Sequence, residues 1–447
     1  TWGIRLYIRY THCPASLTVA HRNLPILFAD NMLIANCIYH RNELSSPDNI
    51  SENTYRTVIG QTHESILAEY EEMNTGNAYT DNVLYGMRKI NGVNYQLTGG
   101  FCGELSSVKQ ENAYSAHSYS FYTVPRIEWE RNDFLFTAAT TVRWSHLPKQ
   151  SYSRFCVSPF FCFRYKFTPR WKMSLLGSLD ESEGGLKDIY PFRYREDYRT
   201  VVKHTGKVPV TVRQLYTCYL EYKNTIKEFF WTLSASYSHN RYNLITERNY
   251  KDGNFYLSSV ERNHSSHSYT LNTIGSKGIY DWNLKTSLEL TLARNEGKQL
   301  NEGIVQDYRY DYLCIEPKIV WAPSVFFEAE YKATVSCVGG GIGEDTRLDP
   351  LWEVAQRLTL SLEFHDTEFR LSGEHFYNDL SKNQHLNIWL ADVSLIHKVG
   401  KWRFAASAIN LFNKEQYRYT LYSAVQSYTS WIKLRPREFM VSVQYQW

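Results

Sequence analysis

The 447-residue sequence contains no apolar run of the roughly 18 residues that a membrane-spanning helix needs. Its nearest approach, residues 24–39, is broken by Asp30, Asn31 and Asn36, so a transmembrane helix is not expected. Charge of one sign is also lacking. With 49 Lys+Arg against 46 Asp+Glu the net charge is +3, and no global basic field exists to recruit nucleic acid. Glycine (23) and proline (13) are too sparse for a collagen-like or low-complexity polymer. The eight cysteines form no CxxC pair and no metal-finger spacing. Cys156 and Cys162 are the closest in sequence; on one strand they would stand about 20 Å apart, too far for a disulfide. All eight are expected to be free thiols. The first residue is Thr1, and no basic segment followed by an apolar core opens the chain. The chain therefore reads as processed or truncated, and the missing address says nothing about compartment.

Aromatic residues, in contrast, are abundant: 12 Trp, 35 Tyr and 22 Phe, or 15% of the chain. Such a share excludes a disordered polymer. From about Tyr119 onward the apolar residues recur with a period of two. Phe155, Val157, Pro159, Phe161, Phe163, Tyr165 and Phe167 alternate with Cys156, Ser158, Phe160, Cys162, Arg164 and Lys166. Phe229, Trp231, Leu233, Ala235 and Tyr237 alternate with Thr232, Ser234, Ser236 and Ser238. The same holds for Trp282 to Leu292, Val325 to Val335 and Phe439 to Trp447. This alternation predicts strands with one apolar and one polar face. His63 to Met73 is the one stretch that offers a helical alternative.

Connections follow a second rhythm. Short turns are expected at Asn132-Asp133, Thr168-Pro169, Asn224 to Ile226, Lys277 to Asp281, Pro323-Ser324, His365-Asp366 and Gly400. Between them lie longer polar segments at about 180–209, 240–266, 295–305, 338–350, 379–385 and 414–430, read as loops. These turns imply about 14 strands in an antiparallel meander over 116–447. Residues 1–115 are expected to hold N-terminal strands and long loops, beginning with the alternation of Trp2, Ile4, Leu6, Ile8 and Tyr10 against Arg5, Tyr7 and Arg9.

A soluble sandwich or propeller also has many strands. Uneven strand spacing, the lack of a 40–50-residue repeat of the propeller kind, and aromatics at strand ends (Trp144, Phe167, Trp171, Trp231, Trp282, Trp321, Trp352, Trp402) favour a membrane barrel instead. Such a barrel turns its apolar face to lipid, keeps girdles of aromatic rings at both interfaces, and satisfies its backbone by closing the sheet. The expected fold is an all-β, antiparallel up-and-down transmembrane β-barrel of roughly 16–22 strands, incomplete at its N-terminal side.

The C-terminal end resembles a known family. Asn410-Leu411-Phe412-Asn413-Lys414, then Tyr417, then Arg435-Pro436-Arg437-Glu438 and a final alternating strand, is similar to the close of a TonB-dependent outer-membrane receptor. The final strand, with Phe439, Val441, Val443, Tyr445 and Trp447 on one face, resembles the signal read by the barrel assembly machinery, with Trp447 where Phe is common. Residues 23–31 and 71–79 are similar to barrels of gut-type receptors that also carry a carboxypeptidase-like regulatory domain. The resemblance implies a barrel of about 22 strands with a plug. It further implies residence in the outer membrane of a Gram-negative bacterium and uptake of a scarce nutrient such as a glycan, siderophore or peptide. The implied partners are outer-membrane lipid, the TonB system through an N-terminal part, and a surface lipoprotein. Nothing in 1–115 resembles a plug or a TonB-contacting segment, so the chain is expected to begin inside the barrel, as a fragment of a longer receptor or a reduced relative. A passive porin-like or ligand-binding barrel is the alternative.

Other chemistry is weaker. Gly339-Gly340-Gly341-Ile342-Gly343 lacks the Lys-Ser/Thr of a phosphate loop and reads as a flexible loop. His264 and His267 would fall on opposite faces of a strand, with no carboxylate at ligand spacing, so no metal site is expected. Glu328, Glu330 and Glu363 lie on the polar face and could be paired hydrolytic carboxylates. They are read instead as lumen charges balanced by Lys332, Arg357 and Arg403. No catalytic residue, no cofactor and no nucleic-acid partner is expected, and substrate-binding residues cannot be assigned from spacing.

Overall fold

The computed structural model describes residues 93–109, 113–189, 191, 193–195, 200–343, 346–381, 384–422 and 427–445. Before residue 93 it describes the backbone of Tyr7–Ile8, Ser16–Arg22, Ile26–Phe28, Met32–Glu43, Asn53–Thr57, Ser65–Glu69 and Glu72–Gly86. Glu72–Gly86, Val93–Lys109, Ala113–Arg131, Phe134–Leu147, Tyr152–Lys166 and Trp171–Glu183 succeed one another, each antiparallel to the last. Val210–Asn224 then pairs with Trp171–Glu183. The meander runs on through Phe229–Lys251, Asn254–Ile279, Leu284–Asn301, Ile304–Ser324 and Phe327–Ile342. Thr346–Phe364, Thr367–Ser381, Gln384–Val399 and Trp402–Ile409 follow, and Glu438–Tyr445 pairs with the last of these. One sheet holds 23 strands. A twisted sheet of this size curls on itself, and the result is the up-and-down antiparallel barrel expected from the periodicity. Among the described residues no helix is long and apolar enough to cross a membrane.

The register explains the two chemistries. One row across the sheet runs Leu220, Leu233, Thr273, Leu290, Ile315, Val335, Val354, Tyr377. The next row, one residue away, runs Tyr219, Ser234, Asn272, Thr291, Cys314, Ser336, Glu353, Asn378. A slip of one residue in any strand would exchange these rows, so the register is strongly specified. The apolar row is not a core. Phe155, Leu288 and Val441 remain 63%, 51% and 81% exposed, as an outward face requires. Phe161, Phe327 and Val441 lie on this face with Leu233, and Arg164, Glu330 and Gln444 lie on the other with Ser234.

Aromatic rings gather in two belts on the apolar face. The first lies beside the short turns: Trp171 is 4.8 Å from Tyr222 and 5.9 Å from Trp231, Trp321 is 5.9 Å from Phe327, and Trp402 is 4.8 Å from Tyr445. The second lies toward the other end, where Phe121 stacks on Trp144, Tyr237 meets Tyr216 and Tyr269, and Trp389 stacks on His375. From Phe229 to Tyr237 the chain advances about 26 Å along the strand, on the scale of the apolar band of a membrane barrel.

All the expected short turns are found at one end, with two displaced by a few residues. Strand Asn254–Ile279 continues to Ile279 before turning at Tyr280–Trp282, and Ile304–Ser324 turns through 325–326. Asn132, Glu228, Asn283, His365 and Gly400 take left-handed φ values there. The supposed loops differ more. Residues 240–266 are the upper halves of Phe229–Lys251 and Asn254–Ile279, joined by Asp252 (φ 50) and Gly253 (φ 79). Residues 295–305 form a second such hairpin, closed by Glu302 (φ 47) and Gly303 (φ 80). Both pairs have the positive φ of a type I′ turn, whose twist matches the flanking strands. Above the lipid band both faces are wet, so the alternation fades while the ladder persists. Residues 338–350 and 379–385 are likewise mostly strand, and 414–430 contains the hairpin Gln416–Tyr422 with Ser427–Lys433. Within 180–209 lie the short helical turn Leu186–Ile189 and the strands Arg193–Arg195 and Thr200–Lys203.

Two further readings are corrected. The helical alternative at His63 to Met73 is overturned where it is described: Ser65–Glu69 pairs antiparallel with Asn53–Thr57. Residues 339–342 are not a flexible loop but the end of Phe327–Ile342, laddered onto Tyr308 to Asp311. Gly340 has φ 153, and a Cβ there would collide with the carbonyl of Arg309. Cys156, Cys162, Cys218, Cys314 and Cys337 are free thiols, and the close pair, Cys156 and Cys162, shares strand Tyr152–Lys166. Trp2 to Leu6, Arg9, Tyr10, Cys13 and Trp447 lie outside the described residues, as do the side chains at Cys37 and Tyr417.

The face assignment predicts opposite outcomes at neighbouring positions. Leu233→Arg should cost about 2–4 kcal/mol, whereas Ser234→Arg should be mild. Denaturant titration of the folded, heat-modifiable form in lipid or detergent measures both, and equal tolerance would contradict the membrane orientation. Gly340→Ala should lower stability by about 1–3 kcal/mol through its φ and the Arg309 carbonyl. A wild-type unfolding midpoint for that variant would refute the close approach.

Candidate functional site

The polar face lines the inside of the barrel, and its residues come from alternate positions of nearly every strand. Ser234, Ser236 and Ser238 of Phe229–Lys251 face Asn272, Thr270 and Ser268 of the next strand. These hydroxyls and amides suit a wet wall because each can bond to water or to its neighbour. Asn272 Nδ2 donates to Glu289 Oε1 at 2.8 Å and to Thr291 Oγ1 at 2.9 Å.

Charges on this wall are mostly paired. Lys172 lies 2.8 Å from Glu221 of the neighbouring strand, whereas Arg126, 3.1 Å from Glu128, and Arg370, 3.0 Å from Glu368, pair along their own strands. Glu330 is one of the three expected lumen acids, but its cation is Lys318, at 3.1 Å, rather than Lys332. The reason is register: Lys318, Lys332 and Arg357 stand in one row, so a cation does not sit opposite Glu330, which faces Thr359. Arg357 bonds Glu374 through both Nε (2.6 Å) and Nη2. Arg403 reaches Gln444 at 3.4 Å, not an acid. Glu328 faces Ser361 and Glu363 faces Glu368, so the structure does not bring Glu328, Glu330 and Glu363 together as a hydrolytic pair. The row of Lys318, Lys332 and Arg357 is the cationic feature that spacing along one strand could not reveal. It arises only when three strands are set in register.

The upper extensions carry histidines and tyrosines. His267 Nδ1 lies 3.0 Å from Tyr237 Oη and 3.2 Å from His239 Nδ1, on the outward face. His264, three residues away, is on the opposite face beside Tyr242, as strand parity requires. Burial lowers the pKa of the His264 imidazole, against a smaller opposing effect of its bond to the Arg262 carbonyl at 3.3 Å. Among the described residues no group of three His, Cys, Asp or Glu side chains is arranged to hold a metal ion.

The motif at Asn410 to Asn413 is a knot in the backbone. Asn410 (φ 53) and Asn413 (φ 52) both occupy the left-handed region that asparagine tolerates better than most residues. Asn410 is 5% exposed. Its Nδ2 donates to the carbonyls of Lys414 (2.7 Å) and Arg435 (2.8 Å), and its Oδ1 accepts from the Lys414 amide at 2.9 Å. The Asn410 amide donates to Asp392 at 2.8 Å, the Leu411 amide to the Ala391 carbonyl at 2.8 Å, and the Arg437 amide to Asn413 Oδ1 at 2.9 Å. The two asparagines thus bind the departing and returning limbs of the segment between the last two strands of the meander, while Phe412 is exposed and takes no part.

No family model matches the sequence, and no curated protein matches it. The chain is similar to several solved structures, among them three receptors. The ferric yersiniabactin uptake receptor FyuA from Yersinia pestis is 9% identical, with a TM-score of 0.33, over 96% of this chain and 77% of that one. The ferric enterobactin receptor PfeA from Pseudomonas aeruginosa is 9% identical, with a TM-score of 0.30, over 98% and 78%. The ferric-catecholate import receptor Fiu from K12 E. coli is 10% identical, with a TM-score of 0.29, over 96% and 79%. The barrel reading rests on the chain's own register and on the chemistry of its two faces.

Proposed function

We propose that this chain is the barrel of an outer-membrane receptor or transporter, of the TonB-dependent kind, that admits a scarce nutrient such as a glycan, siderophore or peptide. The observation that supports this most is the split of one sheet into an exposed apolar face with two aromatic belts and a wall of hydroxyls and paired charges. The two-asparagine knot and the final alternating strand, which resemble the close of that family, add the choice of family. The wall works by selection, not by reaction: its acids are spread out or neutralised, and its cations stand in a row where an anionic or polyhydroxylated solute would pass. The molecule is accordingly read as no enzyme. Its partners are outer-membrane lipid, the barrel assembly machinery, and the TonB system with a surface lipoprotein.

Energised uptake separates this proposal from the passive, porin-like reading. In cells making the full gene product, uptake of the correct nutrient should stop when a protonophore collapses the proton gradient. Uptake that persists unchanged would favour the passive barrel. Independently, Lys332→Glu should shift the ion selectivity of the reconstituted barrel toward cations by several-fold, because it reverses the middle charge of the row. Planar-bilayer reversal potentials measure this, and an unchanged selectivity would remove that row from the conduction path.

The final strand is proposed as the assembly signal. Phe439, Val441, Val443 and Tyr445 share the outward face, and Trp447 would extend that series. Tyr445→Asp should deplete the protein from the outer-membrane fraction and leave unfolded chain in the periplasm. Normal outer-membrane levels of that variant would assign the ring to the girdle alone.

A further inference from the structure

One cavity among the described residues lies outside the lumen. It is a groove of about 920 Å³ on the outward face, continuous along the strand direction with a second of about 530 Å³. Its lower part is apolar, lined by Ala235, Leu271, Leu292, Leu313 and Cys337. The change to charge takes one step in register. The row Leu292, Leu313, Cys337, Trp352 is followed by Arg294, Asp311, Gly339, and then by Glu296, Arg309, Gly341, Arg347. Gly339 and Gly341 make the groove by presenting no side chain, and a Cβ on Gly339 would meet only the Cα of Pro350, at 3.9 Å.

We propose that this groove binds an anionic, phosphate-bearing lipid of the surrounding leaflet, with acyl chain on the leucines and phosphate against Arg294, Arg309 and Arg347; the proposal rests on the membrane orientation above. Position is the first argument. Arg294 stands level with Tyr269 and one outward row above Trp352, and Arg309 and Arg347 stand one row farther, where the apolar band ends and headgroups begin. Donor supply is the second. Asp311 holds both Arg294 (2.6 Å) and Arg309 (3.0 Å) in place, yet one carboxylate occupies a small part of the N–H groups that two guanidiniums carry. Arg347 is exposed and has no ion-pair partner among the described residues. Lys298, held 3.7 Å from Asp307, lies farther along the second cavity. Glu296 is the opposing charge, and it faces Arg309 across the ladder. The result is a fork of fixed donors over an apolar trough, which matches a phosphate ester bearing a hydrocarbon tail and matches neither a neutral lipid nor free phosphate.

The test uses the full chain purified in mild detergent, with folding checked by heat-modifiable mobility. Native mass spectrometry would count bound lipid after equilibration with phosphatidylglycerol or with phosphatidylcholine of the same acyl chains. Phosphatidylglycerol should be retained at least about fivefold better, and an equal concentration of inorganic phosphate should not displace it. Arg347→Gln should weaken retention about fivefold, the factor one basic side chain contributes near an anionic surface. Gly339→Leu, which fills the trough and leaves every charge in place, should abolish the preference for bound lipid. Equal retention of the two lipids, displacement by phosphate, or wild-type retention in a folded Arg347→Gln protein would each overturn the proposal. Should Gly339→Leu not fold, Arg347→Gln decides alone. A chain that folds but fails to enter bilayers at all would instead refute the membrane orientation.

Discussion

Everything in this molecule depends on how its backbone amides and carbonyls are satisfied. A strand facing hydrocarbon cannot turn its N–H and C=O groups to solvent, so they must be paired within the sheet. The chain meets this by making every long strand antiparallel to its predecessor, with ladders that run unbroken for most of their length. Once the ladder is fixed, side chains are forced outward and inward by turns, and the rest of the chemistry is a matter of which residue occupies which parity. The pair that would close the sheet, between Glu438–Tyr445 and the first strand, lies outside the described pairings.

That parity lets one wall serve two solvents. Outward positions bury apolar area only in lipid, which is why they appear so exposed without it. Inward positions hold ion pairs that are partly wet; Lys172 and Glu221 retain 32% and 28% exposure. Pairs of this kind contribute about 0–1 kcal/mol each, so they do not hold the barrel together. Their effect is on the field inside it. Where pairing is incomplete, as along Lys318, Lys332 and Arg357, a net charge is left facing whatever passes.

The legible part of the sequence was the part with lipid on one side only. Phe155 to Phe167 and Phe229 to Ser238 alternate because hydrocarbon and water lie on opposite faces, and the strands found there carry the expected parity. Residues 240–266 gave no such signal, since both faces are wet above the band and only the ladder and the Asp252-Gly253 turn keep them extended. Partners across strands were illegible for a different reason. Lys332 is near Glu330 in sequence, but Lys318 is the residue the neighbouring strand places within reach. The NLFN motif was recognisable as a pattern, while its physical content, two left-handed asparagines tying both limbs of one segment, needed coordinates.

The glycines at 339–343 show how one local feature can serve both the fold and the surface. As a sequence they suggest mobility, because glycine costs little to bend. In the sheet Gly340 instead marks the place where Phe327–Ile342 slips register against Thr346–Phe364, with its own backbone pressed on the Arg309 carbonyl. That irregularity brings Arg347 level with Gly341, beside Arg309 in the adjoining strand. A larger residue at 340 would be excluded by the backbone, and larger residues at 339 or 341 would fill the outward trough. The same run of missing side chains therefore accommodates the register slip at Gly340 and opens the amphipathic groove at Gly339 and Gly341.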